Sequence, residues 1–329
     1  MRPDTILFDL TSVFGLTVAS DPAVKLAPIR YKYLEIFKNR ELARNHGDYK
    51  VKITLDVHAR SLVNWWIHNI TFHSKFLCSS SPQLELFADA SLTGWGAAVG
   101  ASRTGGHWVN DELCHIIYLE LKAILLGLQS LCRDCVHSHI RFCSDNITVV
   151  ACLVRCGSMK LRLHELTEGI FSWTESCDIT LLAVHIPSLH YVATDRESRL
   201  QTLDLEWMLR PHIFEKFCQV FYIPDIDFVF RINAQVATYV SWKPDPSATY
   251  INAFSLNWAS RSLYAFPPFG LIASFLRKLQ EDQATLLVVL PLWPAQVWFP
   301  KALQLLVLAP FLLPRHPLVL PQDPSYTHP

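Results

Sequence analysis

The stretch Leu84-Glu-Leu-Phe-Ala-Asp-Ala-Ser91 decides the fold of this 329-residue chain. Apolar residues alternate along it with more polar ones, and this period of two predicts a half-buried strand with Asp89 at its end. The turn Thr93-Gly94-Trp95-Gly96 follows, and a second strand is predicted over 95–99. Gly105-Gly106 predicts another turn, which leads into a short third strand at 107–109.

The elements after these three strands alternate between helix and strand. The apolar segment 117–132 predicts a buried helix that carries Glu120 near its start. The remaining predicted elements are a strand at 139–144 ending at Asp145, helices at 148–155 and 161–176, a strand at 179–186, and a last helix at 193–199. This order predicts an α/β fold, a mixed five-stranded sheet with helices on its faces.

Four acidic residues in this region stand in apolar or structured surroundings: Asp89, Glu120, Asp145 and Asp195. A buried carboxylate is costly unless it is paired, protonated or bound to a cation. Two of the four lie at strand ends, where ligand crevices form in α/β sheets. An all-oxygen acidic cluster suits Mg²⁺, with Mn²⁺ as an alternative, and the pattern predicts metal-dependent phosphodiester hydrolysis. For Asp195 the alternative interpretation is a helix N-cap.

The chain length suits two or three domains, and we expect boundaries that give segments 1–83, 84–203 and 204–329. The first segment holds 11 Lys and Arg against 7 Asp and Glu, whereas residues 84–199 hold 9 against 13. Helices are predicted over 31–40 and from Leu55 onward, with Asp56 near the start of the second. Either these are ordinary core helices, or the basic side chains form a phosphate-contacting surface. That surface would comprise Lys32, Lys38, Arg40, Arg44, Lys50 and Lys52.

The amino-acid composition favours an ordered, intracellular protein without a membrane span. Half of the residues are apolar and 18% are charged, which favours packed cores over disorder. Nine cysteines without regular spacing indicate a reducing compartment, and we expect an intracellular protein of the cytoplasm or nucleus. The apolar region 284–313 is interrupted by four prolines, so buried strands and helices are expected there rather than a membrane span. An adjacent Asp-Asp pair is missing from the sequence, so polymerase chemistry is not expected in this chain.

Four motifs together resemble ribonuclease H, and more narrowly the ribonuclease H region of DIRS-type retrotransposon polyproteins. They are F-A-D-A-S-x-T-G-W-G-A, Y-L-E-L-K-A, S-D-N-x-T-V-V-A and H-I-P…A-T-D-x-x-S-R, and they cover essentially all of 84–199. The resemblance implies that Asp89, Glu120, Asp145 and Asp195 bind two Mg²⁺ ions. It implies cleavage of the RNA strand of an RNA–DNA hybrid, with a polymerase domain encoded elsewhere as a further partner.

The flanking segments extend this resemblance. His58-Ala-Arg-Ser-Leu-Val-Asn-Trp-Trp-Ile67 is similar to the connection between polymerase and ribonuclease H in these elements. Segment 204–329 resembles a degenerate adenine-type DNA methyltransferase, through Asn233-Ala-Gln235 and Tyr264-Ala-Phe-Pro-Pro-Phe269 among others. The family places Asp or Asn before Pro-Pro, and this chain has Phe266 there, so a packed non-catalytic domain is expected.

Four further residues near the acids each have a functional and a structural interpretation. His185 and His190 either shuttle a proton or assist product release, or they are solvated loop residues. Ser91 and Asn146 either orient carboxylates and phosphate, or they serve as turn and cap residues. Around Asp195 the sequence departs from the family at Tyr191, Thr194 and Glu197, and Arg196 competes electrostatically with a metal ion. The alternative function is therefore a catalytically inactive nucleic-acid-binding remnant.

Overall fold

The computed structural model describes residues 4–72, 74–75, 81–108, 114–186, 208–228, 233–259, 261–313, 318–320 and 323–327. The chain divides into two compact units, Met1–Arg199 and Leu200–Pro329. The division into segments 1–83, 84–203 and 204–329 stays a prediction. No helix within the described ranges is long and apolar enough to cross a membrane.

A five-stranded sheet is the centre of the first unit. Its strands are β3 (Leu84–Ala90), β4 (Gly94–Val99), β5 (Ser102–His107), β6 (His139–Ser144) and β7 (Thr180–His185). The spatial order is β5-β4-β3-β6-β7. β3, β4 and β5 are paired antiparallel, whereas β3, β6 and β7 run parallel. The predicted α/β class and the mixed five-stranded sheet are confirmed.

Three helices connect and cover the strands. They are α4 (Ile116–Leu131), α5 (Ile147–Val154) and α6 (Leu161–Ser176). Helix α4 packs against the face of β3 and β4 that bears Leu86, Ala88 and Ala97, and all of these side chains are buried. The buried helix predicted for 117–132 is thereby confirmed, with Glu120 in its second turn.

The close approach of α4 to the sheet depends on a glycine. A Cβ atom on Gly127 would lie 2.7 Å from the Cβ of Ala97 and 3.5 Å from a methyl carbon of Leu86. Real side chains do not pack that tightly, so any larger residue would push the helix off the strands. Glycine costs about 1 kcal/mol in a helix interior relative to alanine. At this position close packing outweighs that cost.

We expect Gly127→Ala to destabilise the first unit by about 1–3 kcal/mol, because overpacking exceeds the gain in helix propensity. Gly169→Ala in α6 is the matched control, since no atom lies within 4 Å of its added Cβ. That control should stabilise the protein by about 0.4–1 kcal/mol. Urea denaturation of both variants provides the measurement. Equal effects of the two substitutions would contradict the packing argument.

The third strand differs from its prediction at 107–109. It spans Ser102–His107, and Gly105 and Gly106 lie inside it, paired with Gly96 and Trp95. A Cβ on Gly105 would lie 2.6 Å from the carbonyl oxygen of Trp95. The predicted Gly-Gly turn was therefore wrong, because these glycines allow close approach of two strands.

The N-terminal part of the first unit contains three helices and a small sheet. Its helices are α1 (Leu7–Ala19), α2 (Ala27–Arg44) and α3 (Val57–Asn69), and β1 (Asp4–Ile6) pairs antiparallel with β2 (Lys52–Thr54). Asp56 caps α3 by accepting a hydrogen bond from the Ala59 N–H at 2.8 Å. Its other carboxylate oxygen accepts from the Tyr33 hydroxyl at 2.7 Å, which ties α2 to α3.

These N-terminal helices are joined to the five-stranded domain through α6. Arg30 on α2 forms an ion pair with Glu175 on α6 at 2.7 Å. Ile29, on the same helix, is buried in the core of the five-stranded sheet. His58 on α3 lies 3.6 Å from Glu168 on α6. Apolar packing therefore accompanies the polar contacts at this junction.

The second unit is built from short elements. Its strands are β8 (Met208–Leu209), β9 (Ile226–Asp227), β10 (Val240–Ser241), β11 (Tyr250–Ile251), β12 (Leu263–Ala265), β13 (Leu286–Val288), β14 (Leu318–Leu320) and β15 (Asp323–Thr327). Its helices are α7 (Pro211–Val220), α8 (Ile272–Glu281) and α9 (Phe299–Gln304). Strands β13, β12 and β9 form a parallel sheet in that order.

The apolar region 284–313 is less buried than its sequence predicts. It contributes β13 and α9, but large apolar side chains between and after these elements are exposed, among them Leu292, Val297, Val307 and Leu308. Prolines at 291, 294 and 310 lie between and after these elements and keep them short, because proline has no N–H to donate. Pro300 lies in the first turn of α9, where the missing N–H costs nothing. The expected strand and helix are found in this region, but the expected burial holds only for part of it, with Val289 and Trp298 buried.

Candidate active site

Asp89 and Asp145 are brought together by the pairing of two parallel strands. The register aligns Leu84 with Ile140 and continues to Phe87 and Cys143. The pairing ends there; continued for two more residues, the same register would bring Asp89, still on β3, opposite Asp145, which directly follows the last residue of β6. The two carboxylates therefore occupy neighbouring positions at one edge of the sheet.

Glu120 approaches the same edge from α4. The pKa of its carboxyl is raised to about 7, mainly by burial and to a smaller extent by the charges of Asp89 and Asp145, whereas a hydrogen bond from Asn146 lowers it. Two negative charges that raise the pKa of a third carboxyl act on it over a short range. Three of the four acids predicted from the sequence thus come from three separate elements and interact at one place.

The turn between β6 and α5 is held by several hydrogen bonds. Asn146 caps α5, since its side-chain oxygen accepts from the N–H groups of Thr148 at 2.9 Å and Val149 at 3.3 Å. The backbone N–H of Asn146 donates to the Ser144 hydroxyl at 3.0 Å. His185, at the end of β7, places its Nε2 atom 3.1 Å from the Asp145 carbonyl oxygen. A carbonyl only accepts, so this nitrogen carries a proton and His185 braces the backbone beside Asp145.

Ser91 belongs to a tight turn after Asp89. Its hydroxyl accepts from the N–H groups of Thr93 at 3.2 Å and Gly94 at 3.1 Å. Its carbonyl oxygen accepts from the indole N–H of Trp108 at 2.9 Å. The ammonium of Lys122 lies over the Trp108 ring, 5.7 Å from its centroid. Ser91 therefore has a structural role in fixing the end of β3 against its neighbours.

Two predicted site residues, Asp195 and His190, lie outside the described residues. Within the described part of the chain, no group of three or more His, Cys, Asp and Glu side chains is arranged to hold a metal ion. The chemistry of Asp89, Glu120 and Asp145 nevertheless fits Mg²⁺ or Mn²⁺, because all of their donors are carboxylate oxygens. Their mutual repulsion also favours a cation between them.

The basic residues of segment 1–83 are partly neutralised within their own segment. Lys32 pairs with Glu35 at 2.8 Å, and Arg44 pairs with Glu41 at 2.9 Å. Arg40 lies 3.4 Å from Asp56. These ion pairs reduce the positive charge that the predicted phosphate-contacting surface can offer.

Asp227, in the second unit, is a buried acid that the sequence patterns did not single out as a site residue. It is 0% exposed, one oxygen accepts from the Gln235 N–H at 2.8 Å, and the other has no hydrogen-bond partner among the described residues. Burial raises its pKa to about 8. In the sequence, Asp227 stands within the apolar run 226–230, which is consistent with a buried acid. An exposed acid at the end of a strand would give the same pattern.

Comparisons with known proteins point to ribonuclease H structures. No protein-family model matches the chain, and no curated protein matches it. RNase H1 from the halophilic archaeon Halobacterium salinarum NRC-1 is similar at 13% identity over 35% of this chain and 92% of that one, with a TM-score of 0.31. LC11-RNase H1 in complex with RNA/DNA hybrid is similar at 14% identity over 35% and 93%, with a TM-score of 0.32. Prototype foamy virus protease-reverse transcriptase is similar at 14% identity over 46% and 21%, with a TM-score of 0.19.

The raised pKa of Glu120 predicts a stability that depends on pH. Between about pH 4.5 and pH 7 the folded state keeps a proton that the unfolded state has released, so stability falls as pH rises through this window. Glu120→Gln removes that penalty. We expect this variant to exceed the wild type by about 1–2 kcal/mol at pH 8, a value discounted for partial exposure, and to equal it at pH 4.

Urea denaturation in the presence of a chelator, at both pH values, measures this difference. Asp134→Asn is the matched control, because Asp134 is an exposed acid near the other end of the same helix. A stability difference for Glu120→Gln that is the same at pH 4 and pH 8 would contradict the assignment.

A parallel argument applies to Asp227 in the second unit. Its folded-state pKa of about 8 means that stability falls between about pH 4 and pH 8, by at most roughly 1.4 kcal/mol for each pH unit. We expect Asp227→Asn to flatten this dependence. Hydrogen exchange of the β9 and β12 amides across that range is the measurement. An undiminished slope in the variant would show that another group is responsible.

Proposed function

We propose that this chain is a retroelement-derived ribonuclease H that hydrolyses the RNA strand of RNA–DNA hybrids and depends on Mg²⁺, or alternatively Mn²⁺. The observation that carries the proposal is the electrostatic interaction of Glu120 with both Asp89 and Asp145. Three carboxylates from two strand ends and one helix have no evident structural purpose together, since each raises the free energy of the others. The four sequence motifs that resemble ribonuclease H contain these same acids.

In the proposed reaction the acidic side chains hold the cation. Asp89, Glu120 and Asp145 would be its ligands, and Asp195 is proposed as the fourth. A bound divalent ion supplies an activated water and stabilises the leaving oxygen of the phosphodiester. The protein would orient these carboxylates. The pairing of β3 with β6 fixes Asp89 relative to Asp145, and the packing of α4 against the sheet positions Glu120. His185 keeps the Asp145 backbone in place through its hydrogen bond to the carbonyl oxygen.

The proposed origin is a DIRS-type retrotransposon polyprotein, with segment 204–329 as a degenerate methyltransferase-like domain. A polymerase domain encoded elsewhere is the proposed protein partner. Support comes from the flanking sequence similarities described above. We propose cytoplasm or nucleus as the location, on the basis of cysteine usage alone.

The test is hydrolysis of a hybrid with end-labelled RNA in the presence of Mg²⁺. We expect internal cleavage of the RNA strand, and a loss of at least about 100-fold in kcat/KM for Asp145→Asn, since one charged ligand is removed. Asp134→Asn should cleave like the wild type. Intact RNA with both Mg²⁺ and Mn²⁺, or an Asp145→Asn variant that cleaves at the wild-type rate, would refute the proposal.

A second candidate function is an inactive hybrid-binding remnant. The observation that favours it is that the described acids are not arranged to hold a metal ion by themselves. This function predicts salt-sensitive binding of the hybrid without turnover, and equal binding by the wild type and Asp89→Asn. Nuclease activity predicts instead that Asp89→Asn abolishes Mg²⁺-dependent cleavage.

A further inference from the structure

Two cysteines lie three residues apart where helix α4 ends, in the stretch Cys132-Arg-Asp-Cys135. The Cys132 N–H donates to the Leu128 carbonyl oxygen at 2.9 Å and completes the last turn of α4. The Cys135 N–H then donates to the Cys132 carbonyl oxygen at 3.1 Å. A hydrogen bond between the first and fourth residues of a turn holds their Cα atoms within about 7 Å of each other. A disulfide bond requires about 4.4–6.8 Å, so the backbone places these two cysteines in bridging range.

The two thiols differ in their exposure to solvent. Cys132 is buried in the core of the five-stranded domain, whereas Cys135 packs against that core and is partly exposed. Burial, together with the neighbouring Cys135 thiol, raises the pKa of Cys132 to about 12, so this sulfur stays protonated. A small oxidant in solvent therefore reacts with Cys135 first. An accessible thiol beside a second thiol that can resolve it is the arrangement typical of redox-sensing cysteines.

We propose that Cys132 and Cys135 form a reversible disulfide when the protein meets a peroxide. The deprotonated sulfur of Cys135 attacks one peroxide oxygen, the O–O bond breaks, and Cys135 becomes a sulfenic acid while the other oxygen leaves as hydroxide. The Cys132 sulfur then bonds to the Cys135 sulfur, and the sulfenic oxygen leaves as water with the proton of the Cys132 thiol. In total the two thiols lose two electrons and two protons, and one hydrogen peroxide molecule becomes two water molecules.

A reversible bond suits the cysteine usage of the whole chain. Nine cysteines without regular spacing indicate a reducing compartment, where disulfides are usually transient. A thiol reductant there would return the pair to two thiols by exchange. The site is separate from the candidate active site, because about 18 Å of helix α4 lies between Glu120 and Cys132. The disulfide therefore does not depend on the proposed nuclease function.

Differential alkylation of the full chain tests the proposal. The folded protein is treated with hydrogen peroxide, its free thiols are blocked with N-ethylmaleimide, and its disulfides are then reduced and labelled with iodoacetamide. Trypsin cuts after Arg133, so Cys132 and Cys135 fall on the separate peptides 123–133 and 134–141. We expect equal iodoacetamide labelling of both peptides, and none when dithiothreitol follows the peroxide. Label on one peptide only, or on neither while the protein stays folded, would overturn the proposal.

Single variants identify the partner of each thiol. Cys132→Ser removes the resolving thiol, so Cys135 should accumulate as a sulfenic acid that dimedone traps, and Cys132→Ala should do the same without placing a hydroxyl in the core. Cys135→Ser should leave Cys132 reduced. Cys177→Ser is the matched control, because Cys177 packs against the same core and its carbonyl oxygen accepts from the His137 N–H. A disulfide lost in Cys177→Ser but kept by Cys135 in Cys132→Ala would overturn the proposed pairing.

Discussion

The parallel pairing of β3 with β6 is the constraint on which the candidate site depends. These strands are far apart in the sequence, and the helix α4 and strands β4 and β5 lie between them. Their hydrogen-bonded register runs to Phe87 and Cys143, and its continuation aligns Asp89 with Asp145. A shift of one residue would send one of the two side chains to the other face of the sheet. Buried apolar residues on the opposite face, such as Leu86 and Phe142, oppose such a shift because they would become exposed. The hydrophobic core thus fixes the geometry of the charged edge.

Helix α4 adds the third carboxylate through close packing. Gly127 allows the helix to lie against Ala97 and Leu86, and Glu120 sits two turns before it on the same helix. Because a helix is rigid over this distance, the contact of α4 with the sheet determines the position of Glu120 relative to the ends of β3 and β6. The N-terminal helices support this arrangement indirectly, through the ion pair and the apolar contact that α2 makes with α6. Stability and site geometry therefore share the same contacts.

Stretches with a regular hydrophobic pattern over many residues made most of the first unit predictable from the sequence. The alternation in β3, the apolar helix α4 and the strand ending at Asp145 were each predicted and found, because burial imposes their periodicity. The third strand was misplaced because Gly105 and Gly106 resemble a turn, and only their close approach to β4 explains them. The strand-end positions of Asp89 and Asp145 and the buried setting of Glu120 suggested an acidic cluster, and the resemblance implied the same set of residues. Spacing along the chain does not fix distances between strand ends and a helix. Asp195 stays a prediction, since it lies outside the described residues.

The two acids with strongly raised pKa values show why burial alone does not identify an active site. Asp227 has the higher pKa, and burial alone raises it, with a backbone hydrogen bond acting in the opposite sense. Glu120 is less buried, but two other carboxylates contribute to its shift. A solitary buried acid can relieve its cost by keeping its proton, and nothing further is required. Several carboxylates that repel one another gain more from a divalent cation, which neutralises them together. The number of interacting carboxylates, rather than the size of any one pKa shift, therefore makes the edge formed by β3, β6 and α4 the candidate site.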